Sequence, residues 1–288
     1  MDATRMIEDG LRRALDRTTA GDGPPLLGEA MRYAVFPGGA RVRPRLCLAV
    51  ARACGAPDPV AALGAATAIE LMHCASLVHD DMPCFDDAML RRGLPSVHAK
   101  FGEPLALLTG DALIVLAFET VATHAAPGRA GPLVALLGRS VGVPHGICAG
   151  QGWESEREVD TAAYHQAKTG ALFIAACALG AAASDSDPAP WERLGEALGA
   201  AYQVADDLSD AVSTEADLGK PCGQDARNGR PSAADSLGIE GCVAQLHEHV
   251  AEAVAAIPDC EGAEALRGLI RGEATRIMPR QLVATAAE

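Results

Sequence analysis

Between Val78 and Gly93 the chain carries four aspartates, Asp80, Asp81, Asp86 and Asp87, followed by the adjacent arginines Arg91 and Arg92. Carboxylates this dense repel one another unless a cation lies among them, and hard oxygen ligands suit Mg²⁺, which keeps several waters and bridges to substrate phosphates. The arginines suit those phosphates, because a planar, permanently charged fork binds phosphate oxygens two at a time. The stretch reads as a metal-diphosphate site; the plain alternative is a charged helix end facing water. A second acidic cluster follows at Asp206, Asp207 and Asp210, where Asp206 and Asp210, four apart, point the same way on a helix. Two such clusters, each followed by basic residues, are far more specific than either alone.

Other groups fit the same chemistry. The stretch Phe36 to Pro44 has two glycines that let the backbone turn closely around a ligand, and two arginines, Arg41 and Arg43, that supply positive charge. His73 lies seven residues before Asp80, which brings it to nearly the same helix face. Lys168 and Thr169 stand inside an otherwise apolar helix, and a buried lysine without an anion beside it would be costly, so an anion is expected there. Gln151 and Glu154 occupy a polar turn that reads equally as support for a site or as surface. Within the first cluster Asp80 and Asp87 would share a face of a straight helix, but Pro83 prevents a regular helix. Whether Asp86 or Asp87 joins Asp80 is therefore open.

The elements that must position these groups read as helix after helix. Helices are expected over residues 3–17, from about Pro25 to Val35, from Pro59 (with Asp58 as its cap), over Pro104 to Thr123, Pro132 to Gly150 and Thr161 to Ala183, and through the second acidic cluster. Hydrophobic residues make up 49% of the 288 but aromatics only 3%, so the core is built from Ala, Leu, Val and Ile, and few segments alternate as strands do. An all-α single domain over 1–288 is the expected architecture.

The net charge of −14 argues against nucleic acid as a partner. It does not exclude anionic substrates, because local arginines, lysines and metal ions dominate within a few ångströms. Nine scattered cysteines with no Cys-x-x-Cys pair read as buried thiols in a reducing compartment. The amphipathic, mixed-charge N-terminus is unlike a signal peptide, and apolar runs such as Ala171 to Ala183 are too short to span a membrane, so a cytoplasmic protein is expected.

Taken together the motifs resemble those of the trans-isoprenyl diphosphate synthases, the polyprenyl synthetase family. Asp80-Asp81 with Asp86 and Arg91-Arg92-Gly93 is similar to the family's first aspartate-rich motif, and Asp206-Asp207 with Asp210 to its second; Gly38-Gly39 with Arg41, Arg43 and Pro44, then His73, Lys168-Thr169, Gln203 and Lys220 follow in the family's order. The resemblance implies a helical bundle around a central cavity, usually a homodimer, with the two acidic motifs facing each other. It implies Asp80, Asp86 and Asp206 as Mg²⁺ ligands, with Asp210 and Asp81 in support. It assigns Arg91, Lys168, Thr169, Gln203 and Lys220, with Arg230 nearby, to the allylic diphosphate, and Arg43, His73 and Arg92 to isopentenyl diphosphate.

The implied reaction ionises the allylic diphosphate, adds the double bond of isopentenyl diphosphate to the cation, and loses a proton, with no side-chain nucleophile. In the family an aromatic residue five positions before the first aspartate often stops growth at fifteen carbons. Here Ala75, followed by Ser76, stands there, and with the Pro83-Cys84 insertion the chain resembles bacterial geranylgeranyl diphosphate synthases of pigment pathways. A twenty-carbon product is expected, with a farnesyl diphosphate synthase or a non-catalytic subunit of a heteromeric synthase as alternatives. Two departures stand out: Ala40 replaces a lysine common at the isopentenyl subsite, and Arg230 replaces a lysine near the allylic one.

Overall fold

The computed structural model describes residues 2–19, 23–212, 233–279 and 282. In chain order they form α1 (Ala3–Thr19), α2 (Pro25–Val35), α3 (Val42–Ala53), α4 (Pro59–Asp80), a short hairpin of β1 (Leu90–Arg91) and β2 (Leu94–Pro95), α5 (Val97–Phe101), α6 (Glu103–His124), α7 (Ala130–Val141), α8 (Ile147–Trp153), α9 (Thr161–His165), a π-helical turn (Gln166–Gly170), α10 (Ala171–Ala182), α11 (Ala189–Val212), α12 (Ala233–Ala255) and α13 (Ala263–Ile277). The all-α expectation holds among these residues.

Internal packing divides the chain into two units, Met1–Gly138 with Leu179–Asp187, and Arg139–Ala178 with Pro188–Glu288. In the first, α4 is the central helix. Its start is fixed by the Asp58 carboxylate, which accepts from the backbone N–H of Val60 (3.1 Å) and Ala61 (3.0 Å), while Pro59 occupies a first-turn position where no N–H is needed. Its buried face combines Ala61, Ala65, Ala68 and Ala75 with Ile69, Leu71 and Met72, and small side chains let α6 and α3 pack closely against it. Ile7, Leu11 and Leu15 of α1 are fully buried.

In the second unit α11 packs along α12 through Ala201, Val204, Ala205 and Leu208 against Cys242 and Leu246. The rings of Phe173 and Tyr202 lie 4.6 Å apart between centroids, and Phe173 is fully buried.

Three details depart from the sequence expectations. The helix expected from Pro132 to Gly150 is two helices, because α7 ends at Val141, and a cis Val143–Pro144 bond precedes the start of α8 at Ile147. Pro144 has no N–H for a helix ladder, and Gly142 and Gly146 beside it favour a turn. The helix expected over Thr161 to Ala183 is helical almost throughout but contains the π turn at Lys168 and Thr169. Finally, α4 and α6, each 22 residues, are long and apolar enough by length and composition to cross a membrane, contrary to the expectation of short runs only. In α4, 72% of the apolar window is buried inside the protein, where it forms the core.

Candidate active site

The first acidic cluster begins where α4 ends. Asp80 is its last residue and Asp81 caps it; Pro83 then forces the chain out of helical register. The loop folds back on itself: the Asp86 N–H donates to the Asp80 carbonyl (3.0 Å) and the Asp87 N–H to the Met82 carbonyl (3.1 Å). Residue 86 thus returns to residue 80, whereas Asp87 sits exposed with a left-handed backbone at φ 47°.

Arg91 reaches the same loop from β1. Its Nε lies 3.0 and 3.1 Å from the two Asp81 oxygens, and its Nη2 lies 3.8 Å from Asp80 Oδ2. Burial works against the guanidinium charge, but hydrogen bonding and attraction to Asp81, with Asp80 and Asp86 adding to it, hold the Arg91 pKa above its ordinary value. Asp81, almost fully buried, is thereby the anchor of Arg91.

Arg92 points the other way. Its Nη1 donates to the Gly38 carbonyl, and its guanidinium lies over Gly39, where an added Cβ would come within 2.8 Å of Nη1. Gly39, at φ 154°, is the residue type that leaves room for that approach. Arg43 opens α3 with Nη1 3.4 Å from His73 Nε2. Burial first, then the charges of Arg43, Arg92, Arg91 and Arg41, push the His73 pKa well below 6.5, so the ring is neutral at pH 7. The structure therefore gathers Arg43, His73 and Arg92 around the Gly38–Arg43 loop. Arg41, also read as a charge for anions, turns inward instead and is buried.

Ala75 is fully buried in α4. Half-buried Ser76 donates from its hydroxyl to the His73 carbonyl at 2.8 Å.

The second unit builds a separate group. Lys168 and Thr169 lie in the π turn, a feature that often marks functional positions. The anion expected beside Lys168 is Glu154: its Oε1 receives the Lys168 ammonium and the Tyr164 hydroxyl (2.7 Å), and its Oε2 the Gln151 side-chain amide (3.2 Å). Gly150, one turn before Glu154, packs so closely on the π turn that an added Cβ would lie 2.4 Å from the Lys168 backbone nitrogen. The Thr169 hydroxyl donates to Gln203 Oε1 (2.7 Å), and Gln203 Nε2 donates to Asp207 (2.9 Å). Asp207 is buried and also accepts from the Ala233 N–H at 2.7 Å, which ties α11 to the start of α12. Asp206 is exposed and Asp210 half-buried on the α11 face one turn apart. Lys220 and Arg230 lie outside the described residues.

Among the described residues no three His, Cys, Asp or Glu side chains are grouped closely enough to hold an ion by themselves. What the end of α4 offers is Asp80 and Asp86, two hard oxygen donors on a loop folded back on itself. That donor set fits Mg²⁺, which is usually held by one or two carboxylates together with water and substrate phosphates.

Sequence reasoning missed the inward turn of Arg41 and the Asp81–Arg91 anchor, and left Gln151 and Glu154 open between support and surface; in the structure Glu154 is the partner of Lys168.

The chain is similar to known proteins over nearly its whole length. Residues 24–263 match the family model described as polyprenyl synthetase. The chain is 51% identical over 280 residues to a geranylgeranyl diphosphate synthase from Cereibacter sphaeroides, covering 96% of this chain and 97% of that one. It is 36% identical over 258 residues to a farnesyl diphosphate synthase from Geobacillus stearothermophilus, covering 85% of each. Among solved structures, a geranyltransferase from Helicobacter pylori, complexed with magnesium and isoprenyl diphosphate, superposes with a TM-score of 0.78 at 25% identity over 96% of this chain and 98% of that one. The match spans both acidic clusters and every basic residue singled out above, and the chain belongs to the polyprenyl synthetase family.

Proposed function

We propose that the chain is a trans-prenyltransferase that condenses isopentenyl diphosphate with allylic diphosphates, with geranylgeranyl diphosphate as its main product. The observation that carries this reading is the 51% identity, over nearly the whole length, to a geranylgeranyl diphosphate synthase, against 36% to a farnesyl diphosphate synthase. Ala75, small and buried in α4, supports the longer product, because it puts no large side chain near the end of that helix.

Asp80, Asp86 and Asp206, with Asp210 in support, are the residues assigned to Mg²⁺. The ion would supply positive charge to the departing diphosphate, as metals do for leaving oxygens. Lys168, Thr169, Gln203 and Arg91, with Lys220 and Arg230, are assigned to the allylic diphosphate. Lys168 is held in place by Glu154, and Gln203 keeps one amide proton beyond that on Asp207. Donors aimed at oxygens that gain charge as the carbon–oxygen bond breaks lower the barrier to ionisation. Arg43, His73 and Arg92 are assigned to isopentenyl diphosphate. Neutral His73 adds a hydrogen-bond donor there without adding a charge. Alanine- and leucine-rich helices keep water from the cation.

A homodimer fits the exposed apolar residues of α6, Leu107, Leu108 and Val115, two of which, seven apart, share a face. A cytoplasmic, single-domain synthase working in carotenoid or related pigment synthesis completes the reading. Incubating the purified protein with Mg²⁺, isopentenyl diphosphate and each allylic primer tests it: a twenty-carbon product is expected, and no elongation from any primer would refute it.

A further inference from the structure

Arg41 adopts a left-handed backbone at φ 49°, ψ 40° immediately before α3, a conformation that residues with a Cβ rarely take. Three acceptors hold it there. Its Nε donates to Glu8 Oε1 (2.8 Å), Nη1 to Glu70 Oε1 (2.6 Å) and Nη2 to the Val35 carbonyl (2.6 Å), and its side chain is 1% exposed. Burial alone would lower the Arg41 pKa, but Glu70 and then Glu8 overcome it, so the charge is secure. Val35 is the last residue of α2, so the bond to its carbonyl closes the neck of the 36–40 loop. At the tip of the same loop Arg92 donates to Gly38. With Arg41 turned in, Arg43 emerges two residues later beside His73.

Glu8 is the unexpected member. It lies on α1, before residue 24 where the family match begins, and its side chain is 24% exposed. We propose that Glu8 acts through Arg41 as a positioning residue for the Arg43–His73–Arg92 group, and so for isopentenyl diphosphate; the inference rests on the substrate assignment made above. The sign of the effect identifies the role. A carboxylate acting only by its charge repels a diphosphate, so its removal would tighten binding, whereas a carboxylate that braces the loop weakens binding when it is removed.

Steady-state kinetics with each substrate varied decide the matter for Glu8→Gln, with Asp9→Asn on the same helix as a control for loss of a nearby charge. Loss of one charged hydrogen bond on the brace is expected to raise the KM for isopentenyl diphosphate about fivefold. The allylic KM and kcat should stay within about twofold, and Asp9→Asn should change neither KM. Arg41→Lys, which cannot reach three acceptors at once, should have a larger effect in the same direction. An unchanged or lowered KM for isopentenyl diphosphate in Glu8→Gln, or an equal rise in both KM values, overturns the inference. Failure of the wild-type protein to elongate any primer would instead sink the functional reading itself.

Discussion

Charged side chains in this protein act in pairs in which one partner braces the other. Asp81 holds Arg91, Glu154 holds Lys168, and Glu8 with Glu70 holds Arg41. Each brace fixes a long, flexible cation whose ordering would otherwise oppose binding. Lys168→Gln keeps hydrogen-bonding capacity but removes the charge, and is expected to lower kcat/KM by a hundredfold or more, on the order of removing one strong electrostatic donor; an effect below about threefold in initial-rate assays would show that the ammonium does not serve the leaving group. His73 makes stability depend on pH. Its folded pKa lies well below 6.5 while the unfolded ring titrates near 6.5, so the unfolded state binds the extra proton first. The contribution from the neutral ring is complete above about pH 6.5 and is lost as the pH falls towards the folded pKa. Denaturant midpoints between about pH 7 and 5 should fall less steeply for His73→Gln than for wild type; parallel curves would contradict this. Residue identities and order were enough to single out Asp80, Lys168 and His73 as candidates. The direction of each side chain was not legible, because Arg41 and Arg43 look alike in a sequence and differ through acceptors brought from α1, α2 and α4.

At the scale of elements, α4 links the loop of basic residues to the first acidic cluster, and its ends are set by local chemistry. Asp58→Ala removes the cap and should destabilise the fold by about 1 kcal/mol in chemical denaturation, with kinetic constants unchanged. Ala75→Phe places a ring in a fully buried position one turn before Asp80, and is expected to shift product from twenty towards fifteen carbons. Its product distribution, read beside a circular dichroism spectrum to confirm folding, tests whether α4 sets chain length. Most helices were legible because Pro, Gly and Asp punctuate an Ala- and Leu-rich pattern. The break between α7 and α8 was read through, although Pro144 with Gly142 and Gly146 beside it carries a turn composition. The π turn at Gln166–Gly170 was not legible, because an extra residue in a helix leaves no compositional mark; Gly150 packs closely against it.

At the scale of the whole molecule, a chain of net charge −14 concentrates cations where the two diphosphates are proposed to bind. Arg41 and Arg43 lie at the start of α3 and Arg91 and Arg92 in one hairpin, all in the first unit, and Lys168 lies in the second. Distant acidic surface is screened over about 8 Å at physiological ionic strength, so the local cations dominate. The proposed twenty-carbon product rests on the full-length similarity together with a small residue at position 75. The most direct test is product chain length from purified protein given Mg²⁺, isopentenyl diphosphate and farnesyl diphosphate. Conversion of the fifteen-carbon primer mainly to geranylgeranyl diphosphate is predicted; accumulation of unextended farnesyl diphosphate, with activity confined to shorter primers, would contradict it.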